Sequence, residues 1–578
     1  MRSRWVPWFM LLACGDDGAA TPNESSSSGG NDTTTTTSSS TSSSDGSGVD
    51  TSSSSTGEIE PPPPACGSFA YEWRGMLAGP SEPEFDDALE QIALRHDRMH
   101  VAITARPTGL AGDISIAIDD QAARDAITTF ADGEQWSYDG EGVAAWQKAT
   151  GAFAGLSAAA DAYRYGTLRD QGYPCEDLEI ARAQLVRAIS ALHLVTAVTG
   201  EPGLVARSLS HRDFPGASEA MTTPLFDDMG NPLPPEKTNG TFRDDASGEH
   251  PEIVWEDGCS RDQIIGWAIG IGAVFEVIRA DDTFDPALLE QLRADASAIA
   301  HQLMIVRDSG YDLEIWDPDG RVTPNGFLNE HNIDGNYVGF QNGQHAIMSA
   351  GIIAALAYAA DDPEVDEYLA TLLGDRNLVH IAATALLIDF GAGTNYSNYN
   401  MAFSGLWLAA RYIDDADARA ELAAAAAQLY RNPGYDYHAD LLGQSFFDFT
   451  YAIAIADASA RADTMGTPDE DALAQGVATL HSFPAVPAWD FAVTNCDDME
   501  IADGTCTLDD GTVVEVLGAV GHNDALVVDT PIALATRPPS NFYWRSNPYE
   551  ANGGGDGTNA PSSSDFRFAY WIARWSRR

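Results

Sequence analysis

The sequence predicts an all-α fold in which antiparallel helix pairs close into an (α/α)6-type toroid, followed by a small irregular, β-containing C-terminal segment. Helical patterns follow one another between residues 143 and 482, long polar connections occur only before every second helix, and several helices are apolar almost all round. A helix without a polar face is buried on most sides. An α-solenoid is disfavoured because it requires a repeat of fixed length, and the sequence contains none.

The helical core spans residues 141–482, and its segments alternate between short and long connections. The predicted helices are 143–172, 176–199, 260–280, 285–309, 343–360, 364–388, 398–413, 415–431, 440–460 and 468–482. Antiparallel pairs place all long connections at one end of the molecule, and 200–259 and 310–342 are the longest. Long structured loops on a rigid scaffold usually carry function, so we expect the site at that end.

Two further regions flank the core. Residues 66–140 are predicted to be a mixed α/β lead-in, with helices over 84–105 and 119–130 and a strand over 112–118. Residues 483–578 change character and are rich in Pro, Gly and Asp. There the pattern predicts strands over 511–517 and 525–529 and a final amphipathic helix over 566–575 that docks on the core.

The N-terminus predicts export. Residues 1–13 combine a basic start with an apolar run too short for a bilayer core of about 30 Å, which is typical of a signal peptide. Leu11-Leu12-Ala13-Cys14 resembles the lipobox of bacterial lipoproteins, in which the cysteine is lipidated and becomes the mature N-terminus. The resemblance implies a membrane anchor at Cys14, and Gly15 favours the outer membrane or cell surface. An ordinary cleaved signal or a misassigned start is the alternative.

The amino-acid composition excludes some classes of binding partner. Residues 14–65 form a Ser/Thr/Pro-rich tether that contains too few apolar side chains to fold. The chain has 86 acidic and 32 basic residues, a net charge of −54. Such an acidic protein is not expected to bind nucleic acid or anionic lipid surfaces. We expect a monomer.

Six cysteines are present, and an exported protein permits disulfides. Cys496 and Cys506 flank a short polar segment and are the predicted pair, whereas the pairing of Cys66, Cys175 and Cys259 stays open. No cysteine pair has zinc-ligand spacing, so no metal or other cofactor is predicted. The segment Asp317-Pro-Asp-Gly320 favours a turn, with a calcium site as the weaker alternative.

Three loops at the long-loop end carry the candidate site. Their carboxylates and imidazole suit general acid–base work, and their amides and aromatic rings suit sugar hydroxyls and sugar faces. The first loop contributes Trp255, Arg261, Asp262 and Gln263; the second Trp316, Glu330, His331, Asn332, Asp334 and Tyr337; the third Asp389, Tyr396, Asn398 and Tyr399; and the tail adds Trp544 and Arg545. The alternative to a functional role for Ser260 and Asp262 is helix capping. The alternative to a catalytic base at His345 is a buried core histidine.

The pattern Trp-x-Asp-Gly-x-Ser-Arg-Asp-Gln-x-x-Gly over 255–266 resembles segments of bacterial six-hairpin, (α/α)6-toroid carbohydrate-active proteins. The tail segments 542–549 and 568–575 resemble the ending of exported toroids of this class. The resemblance covers about residues 140–578 and implies an oligo- or polysaccharide as partner. The class contains glycoside hydrolases, polysaccharide lyases and members without an assigned reaction, so the fold alone does not decide the function.

Three hypotheses follow. The first is a glycoside hydrolase with Glu330 as general acid, Asp262 or Asp389 as base or nucleophile, and Asp334 as a further candidate. The second is a polysaccharide lyase, in which Tyr337 or His331 is the base and Arg261 or Arg321 binds the uronate carboxylate. The third is a non-catalytic surface lipoprotein that binds a glycan or peptide.

Overall fold

The protein is mostly helical and carries small sheets of two to four strands. The computed structural model describes residues 75–332, 341–385, 393, 395–431, 438–454, 468–494, 496, 504–508, 510–521, 525–534, 536–537, 547–562 and 564–576. The predicted signal peptide, the lipidated Cys14 and the tether to residue 65 lie outside the described residues.

The described elements, in chain order, are these. The helices are α1 (Asp87–Met99), α2 (Gln121–Asp132), α3 (Gly151–Asp170), α4 (Cys175–Ala197), α5 (Arg261–Ile278), α6 (Pro286–Met304), α7 (Gly343–Ala360), α8 (Pro363–Leu373), α9 (Leu378–Thr384), α10 (Ser397–Tyr412), α11 (Ala416–Arg431), α12 (Ser445–Ala454), α13 (Glu470–His481) and α14 (Ser564–Trp575). The strands are β1 (Ile114–Ser115), β2 (Ala145–Trp146), β3 (Ala149–Thr150), β4 (Ser208–His211), β5 (Phe242–Asp244), β6 (Ile253–Glu256), β7 (Glu314–Trp316), β8 (Val322–Phe327), β9 (Val493–Thr494), β10 (Thr505–Thr507), β11 (Val513–Ala519), β12 (Leu526–Val528), β13 (Asn552–Gly553) and β14 (Asn559–Ala560).

Two predicted helices needed correction. The helix predicted from residue 143 begins at Gly151, because β2 and β3 occupy part of the preceding segment. The helix predicted over 364–388 is divided into α8 and α9, since Asn377 adopts a left-handed conformation with φ of 56°. An α-helix of L-residues does not continue through that region of backbone space.

A four-stranded sheet lies next to the candidate site and was not predicted from the sequence. Strands β3, β4, β6 and β5 form an antiparallel sheet, in which Leu209 pairs with Trp255 and Ser208 with Glu256. The connection 200–259 was treated as loop because its strands are short and widely spaced. The sheet matters for the site, since β6 leads directly into the start of α5.

The central helices pack at close range. Gly155 of α3 faces Gly266 of α5, and a Cβ at either position would collide with backbone of the facing helix. Gly351 of α7 and Gly405 of α10 make a similar close approach. By length and composition α7 is the one described helix that could cross a membrane, but 94% of it is buried inside the fold, as expected of a core helix.

The helices contact one another in a regular succession. α3 packs against α5, α5 against α7, α7 against α10, α10 against α12, α12 against α14, and α14 against α3. Each of these six has a further helical neighbour: α4 contacts α3, α6 contacts α5, α8 and α9 contact α7, α11 contacts α10, α13 contacts α12, and α1 contacts α14.

The six central helices share two ends. The Gln263 side chain accepts a hydrogen bond from the backbone N–H of Ala152 at 2.8 Å, and Gln344 donates to the carbonyl of Asn398 at 3.2 Å, so the starts of α3, α5, α7 and α10 are neighbours. We call this the loop end. At the other end Trp575 donates to Glu276 at 2.5 Å, so α5 and α14 finish together. We call it the turn end.

The C-terminal segment agrees in outline with its prediction. Strands β10, β11 and β12 form a sheet, and the predicted Cys496–Cys506 disulfide is present. α14 docks through Arg567, which lies 2.6 Å from both Asp97 of α1 and Asp161 of α3. Cys175 is also disulfide-bonded, whereas Cys259 is a buried free thiol.

Candidate functional site

The candidate site lies at the loop end, where the first turns of α5, α7 and α10 adjoin. These turns contribute Arg261, Asp262 and Gln263 from α5, Gln344 and His345 from α7, and Asn398 and Tyr399 from α10. Helix starts expose unpaired N–H groups and the positive end of the helix dipole. Negative charge, in a side chain or in a transition state, is therefore stabilised at this end.

Asp262 is the carboxylate of this set that is both oriented and accessible. The Ser260 hydroxyl donates to one carboxylate oxygen, and Gln263 donates to the other at 2.9 Å. Arg207 in turn donates to the Ser260 hydroxyl at 2.9 Å. The side chain of Ser260 does not cap α5, although the residue occupies the N-cap position. Both donors fix the orientation of the Asp262 carboxylate, and its half-buried position leaves it within reach of a ligand.

His345, in the first turn of α7, is a buried core residue. Burial and the neighbouring Arg261 guanidinium lower the pKa of His345 to about 3, so its ring stays neutral. Its Nδ1 lies 3.4 Å from the Asn329 carbonyl, and the side chain of Asn342 caps the start of α7 by accepting from the His345 N–H at 3.1 Å. Asn332 is fully buried as well.

Glu330, the predicted general acid, is held in an ion pair. Arg376 donates from Nε to one oxygen of the Glu330 carboxylate at 2.8 Å and from Nη2 to the other. Arg376 also donates to Asp312 at 2.7 Å, as does Tyr368. A general acid must present its carboxyl group to the substrate, whereas both oxygens of Glu330 already accept hydrogen bonds from Arg376. The role stays a prediction, and this geometry argues against it.

The exposed neighbour of Glu330 is His331. Its Nε2 lies 3.7 Å from the carboxylate of Glu330, and 43% of its side chain is exposed, against 3% for Glu330. The buried pair of Glu330 and Arg376 therefore anchors the segment that presents an imidazole to solvent.

The turn over 317–320 is stabilised by a lysine. Lys237 Nζ lies 2.5 Å from Asp317, 3.0 Å from Asp257 and 3.2 Å from Asp319. An ammonium thus already occupies the space between the carboxylates that calcium would need. Among the residues that the structure describes, no group of His, Cys, Asp or Glu side chains could hold a metal ion.

This cluster also positions the candidate site. Asp317 accepts from the Gly258 N–H at 2.9 Å, two residues before Ser260. Burial, with a contribution from Asp257, raises the pKa of Asp317 to about 7 against the opposing effect of Lys237. Sequence reasoning missed Lys237 and Asp257 as partners of Asp317, because they are far apart in the chain and no local pattern joins them.

Most predicted aromatic binding residues belong to the core. Trp255 is fully buried in β6 and donates to the Asp244 carbonyl at 2.9 Å. Tyr396 and Tyr399 are 4% and 5% exposed, which leaves no free ring face for a sugar. Trp316 is half-buried, with the Arg307 guanidinium 4.9 Å from its ring centroid.

The remaining predicted site residues are Asp334, Tyr337, Asp389, Trp544 and Arg545, and all five lie outside the described residues. Among the described ones, Gln263 contacts Asp262, Gln344 contacts Asn398, and Arg261 lies close enough to His345 to lower its pKa, whereas Glu330 and His331 belong to the adjoining segment before α7. Gln344 precedes a histidine on an apolar helix, and its polarity at a helix start was the available clue.

No protein-family model matches the chain, and no curated protein matches it. The argument for function therefore depends on the fold and on the chemistry of the loop end.

Proposed function

We propose that the central helices close into an α/α toroid. The succession of contacts supports this, because it leads from α3 through α5, α7, α10 and α12 to α14 and returns to α3. The second helical neighbour of each supports an outer layer. The parallel direction of the central helices, with their starts at one end, is the geometry that a toroid of helix pairs requires.

We propose further that the protein is an exported lipoprotein, anchored at Cys14 in a bacterial outer membrane or surface, that hydrolyses glycosidic bonds at the loop end. The observation that carries the enzymatic part is Asp262, an oriented and accessible carboxylate at a helix start that accepts a hydrogen bond from the amide of Gln263. Ionised carboxylates serve as the base or nucleophile of glycosidases, and amides bind sugar hydroxyls. The anchor is tested by Cys14→Ser, which should release the protein from the membrane fraction.

The proposed mechanism needs a second carboxyl group. Inverting enzymes separate the pair by about 6.5–9.5 Å and retaining enzymes by about 5 Å. Asp334 and Asp389 are the proposed partners of Asp262, since each belongs to a connection that enters a central helix at the loop end. We assign Glu330 a positioning role, because Arg376 already holds its carboxylate.

The deciding experiment is a screen against plant, microbial and algal polysaccharides that measures new reducing ends and ultraviolet absorbance in parallel. A hydrolase produces reducing ends without absorbance. Asp262→Asn should then lower kcat by about 10²–10⁴-fold while the fold is retained. The matched control is Asp282→Asn, an exposed aspartate at the turn end, which should leave kcat unchanged.

A polysaccharide lyase is the second candidate, and the accessible imidazole of His331 favours it. In that reaction His331 would remove the proton beside a uronate carboxylate, and Arg261 would bind the carboxylate. Arg321, the alternative residue for this role, lies 2.6 Å from Asp319 and donates to the Pro234 carbonyl. Ultraviolet-absorbing products that disappear in His331→Ala would replace the hydrolase proposal with this one. Silence in both assays would leave a glycan- or peptide-binding lipoprotein.

A further inference from the structure

We propose that a second ligand site, independent of the proposed hydrolase function, binds a small organic anion through Arg537. The site is a cavity of about 250 Å³ between the segment 441–443 that precedes α12, the last turns of α13 and residues 531–534 and 537. Its volume is close to the lower limit of ligand cavities, roughly 300 Å³. It is lined by Leu441, Leu442, Gly443, Gln475, Ala478, Thr479, Ser482, Pro531, Ile532, Ala533, Leu534 and Arg537.

Arg537 is a buried cation without a counter-charge. It is 3% exposed, and its Nε and Nη2 donate only to backbone carbonyls, those of Ile532 at 3.3 and 3.1 Å and of Leu442 at 3.0 Å. Its Nη1 has no hydrogen-bond partner within the described part of the chain. No carboxylate among the described residues forms an ion pair with it. Burial of an unpaired charge is costly, so an anion from outside would be strongly favoured here.

Other buried arginines of this protein have the partner that Arg537 lacks. Arg243 lies 2.6 Å from Asp257, and Arg567 lies 2.6 Å from Asp97. The pKa of Arg537 is lowered to about 10 by burial, which agrees with the absence of a neighbouring carboxylate. The fold therefore neutralises these two buried guanidinium groups, whereas Arg537 lies beside a cavity with no carboxylate partner among the described residues.

The walls define the rest of the ligand. Apart from Arg537, they are mainly aliphatic, and the polar groups are engaged locally: Gln475 donates to the carboxylate of Asp448 at 3.2 Å, and Ser482 donates to the Ala478 carbonyl at 2.9 Å. One cation among apolar walls suits one negative group on an apolar body. We therefore assign the site to monocarboxylates with a short alkyl or aryl group. A polyanion would meet one guanidinium and a chain of net charge −54.

Calorimetry tests the assignment with hexanoate, the neutral hexanamide and inorganic phosphate as probes. Hydrogen bonds to charged groups contribute about 1.5–3 kcal/mol, so hexanamide should bind at least about tenfold more weakly than hexanoate. Arg537→Gln should weaken hexanoate binding by a similar factor, and phosphate should bind more weakly than hexanoate. Equal affinity for hexanoate and hexanamide, tighter binding of phosphate, or no binding of hexanoate would overturn the proposal.

A steric variant keeps the test valid if Arg537→Gln does not fold. Ala478 is exposed on α13 and lines the cavity, so Ala478→Phe should fill it and abolish hexanoate binding with Arg537 intact. Ala474→Phe, at an exposed position one turn earlier that does not line the cavity, is the matched control and should bind normally. Unchanged binding by Ala478→Phe would place the anion elsewhere. These measurements use no glycan, so they are independent of the polysaccharide screen.

Discussion

The two ends of the central helices use polar side chains in opposite ways. At the turn end Glu276 accepts hydrogen bonds from Arg411, from Trp575 at 2.5 Å and from Tyr412 at 3.1 Å. Arg411 is 4% exposed and Glu276 is 8% exposed, so this cluster is closed to solvent. At the loop end, the carboxylate of Asp262 is oriented by neighbours and remains partly accessible.

The difference separates structural from functional polar groups. A buried network in which the charges meet each other fixes the relative positions of α5, α10 and α14. Polar groups that are oriented but remain accessible can exchange water for a ligand. Both ends contain charged residues, so composition does not distinguish them. They differ in whether the charged side chains form ion pairs with each other.

The largest effect is expected where pairing is most complete. Glu276→Gln keeps the shape of the side chain but leaves the Arg411 guanidinium without its buried counter-charge. Loss of one partner of a buried ion pair costs about 3–5 kcal/mol. Urea denaturation should therefore show a fall of that size in the free energy of unfolding.

The control for this variant is an exposed pair. Glu290 lies 2.7 Å from Arg293 and its side chain is 70% exposed, so Glu290→Gln should cost under about 1 kcal/mol. A similar small loss for Glu276→Gln would show that the turn-end network does not hold the helices together.

A smaller loss of stability is expected on substitution of Glu330, which lies near the site but forms an ion pair with Arg376. Glu330→Gln should lower the free energy of unfolding by about 2–3 kcal/mol, the contribution of hydrogen bonds to a charged group. On a substrate found in the screen, the folded variant should retain most of its kcat. Complete loss of turnover with unchanged stability would restore the general-acid role first predicted for Glu330.

Asp317 should make stability depend on pH. Its folded pKa of about 7 lies above the ordinary 3.8, so the folded state holds the proton more tightly. The stabilisation is complete below pH 3.8 and is lost as the pH rises through about 7. Since a shift of one pKa unit corresponds to about 1.4 kcal/mol, we expect a loss of about 2 kcal/mol between about pH 5 and pH 7.

The measurement is denaturation of the wild type and of Asp317→Asn at several pH values. Asn cannot ionise, so the variant should lack this part of the slope. Parallel curves for the two proteins across the window would contradict the assignment of the proton to Asp317.

The smallest effects on stability are expected from substitution of two helix N-cap residues, one at each end of the central helices. Asn342 caps α7 at the loop end, and Asp285 caps α6 after the turn that follows α5. Replacement of either by Ala should cost about 1 kcal/mol in thermal or urea unfolding. Only Asn342→Ala should also change kcat/KM, because the start of α7 carries Gln344 and His345. Equal effects of both variants on kcat/KM would remove the functional distinction between the ends.

Local patterns predicted the elements best where one periodicity extends over several turns. The apolar helices α5 and α7 were predicted within about three residues, since their spacing depends only on the 3.6-residue repeat. The break at Asn377 was missed, because a left-handed residue at that point has no strong sequence pattern when it is not glycine. Strands β4 and β6 were missed because their partners are some 45 residues apart.

The sequence predicted which helix starts are neighbours, but it did not predict the partners of their side chains. The alternation of connection lengths correctly indicated that the starts of α5, α7 and α10 meet. Roles depended on partners that no local pattern shows: Arg376 for Glu330 and Lys237 for Asp317. Asp334 and Asp389 remain predictions.

The sequence by itself determined the helical class, the positions of most helices and the Cys496–Cys506 pair, because periodicity and close spacing are local properties of the chain. Only the tertiary structure decided which charged groups are paired with another charge and which remain accessible to solvent. Arg376 forms an ion pair with Glu330, and Arg411 forms one with Glu276, whereas Asp262 remains partly accessible to solvent. The ionisation and reach of a carboxylate depend on its burial and on the charges around it, and both are set by residues distant in the sequence.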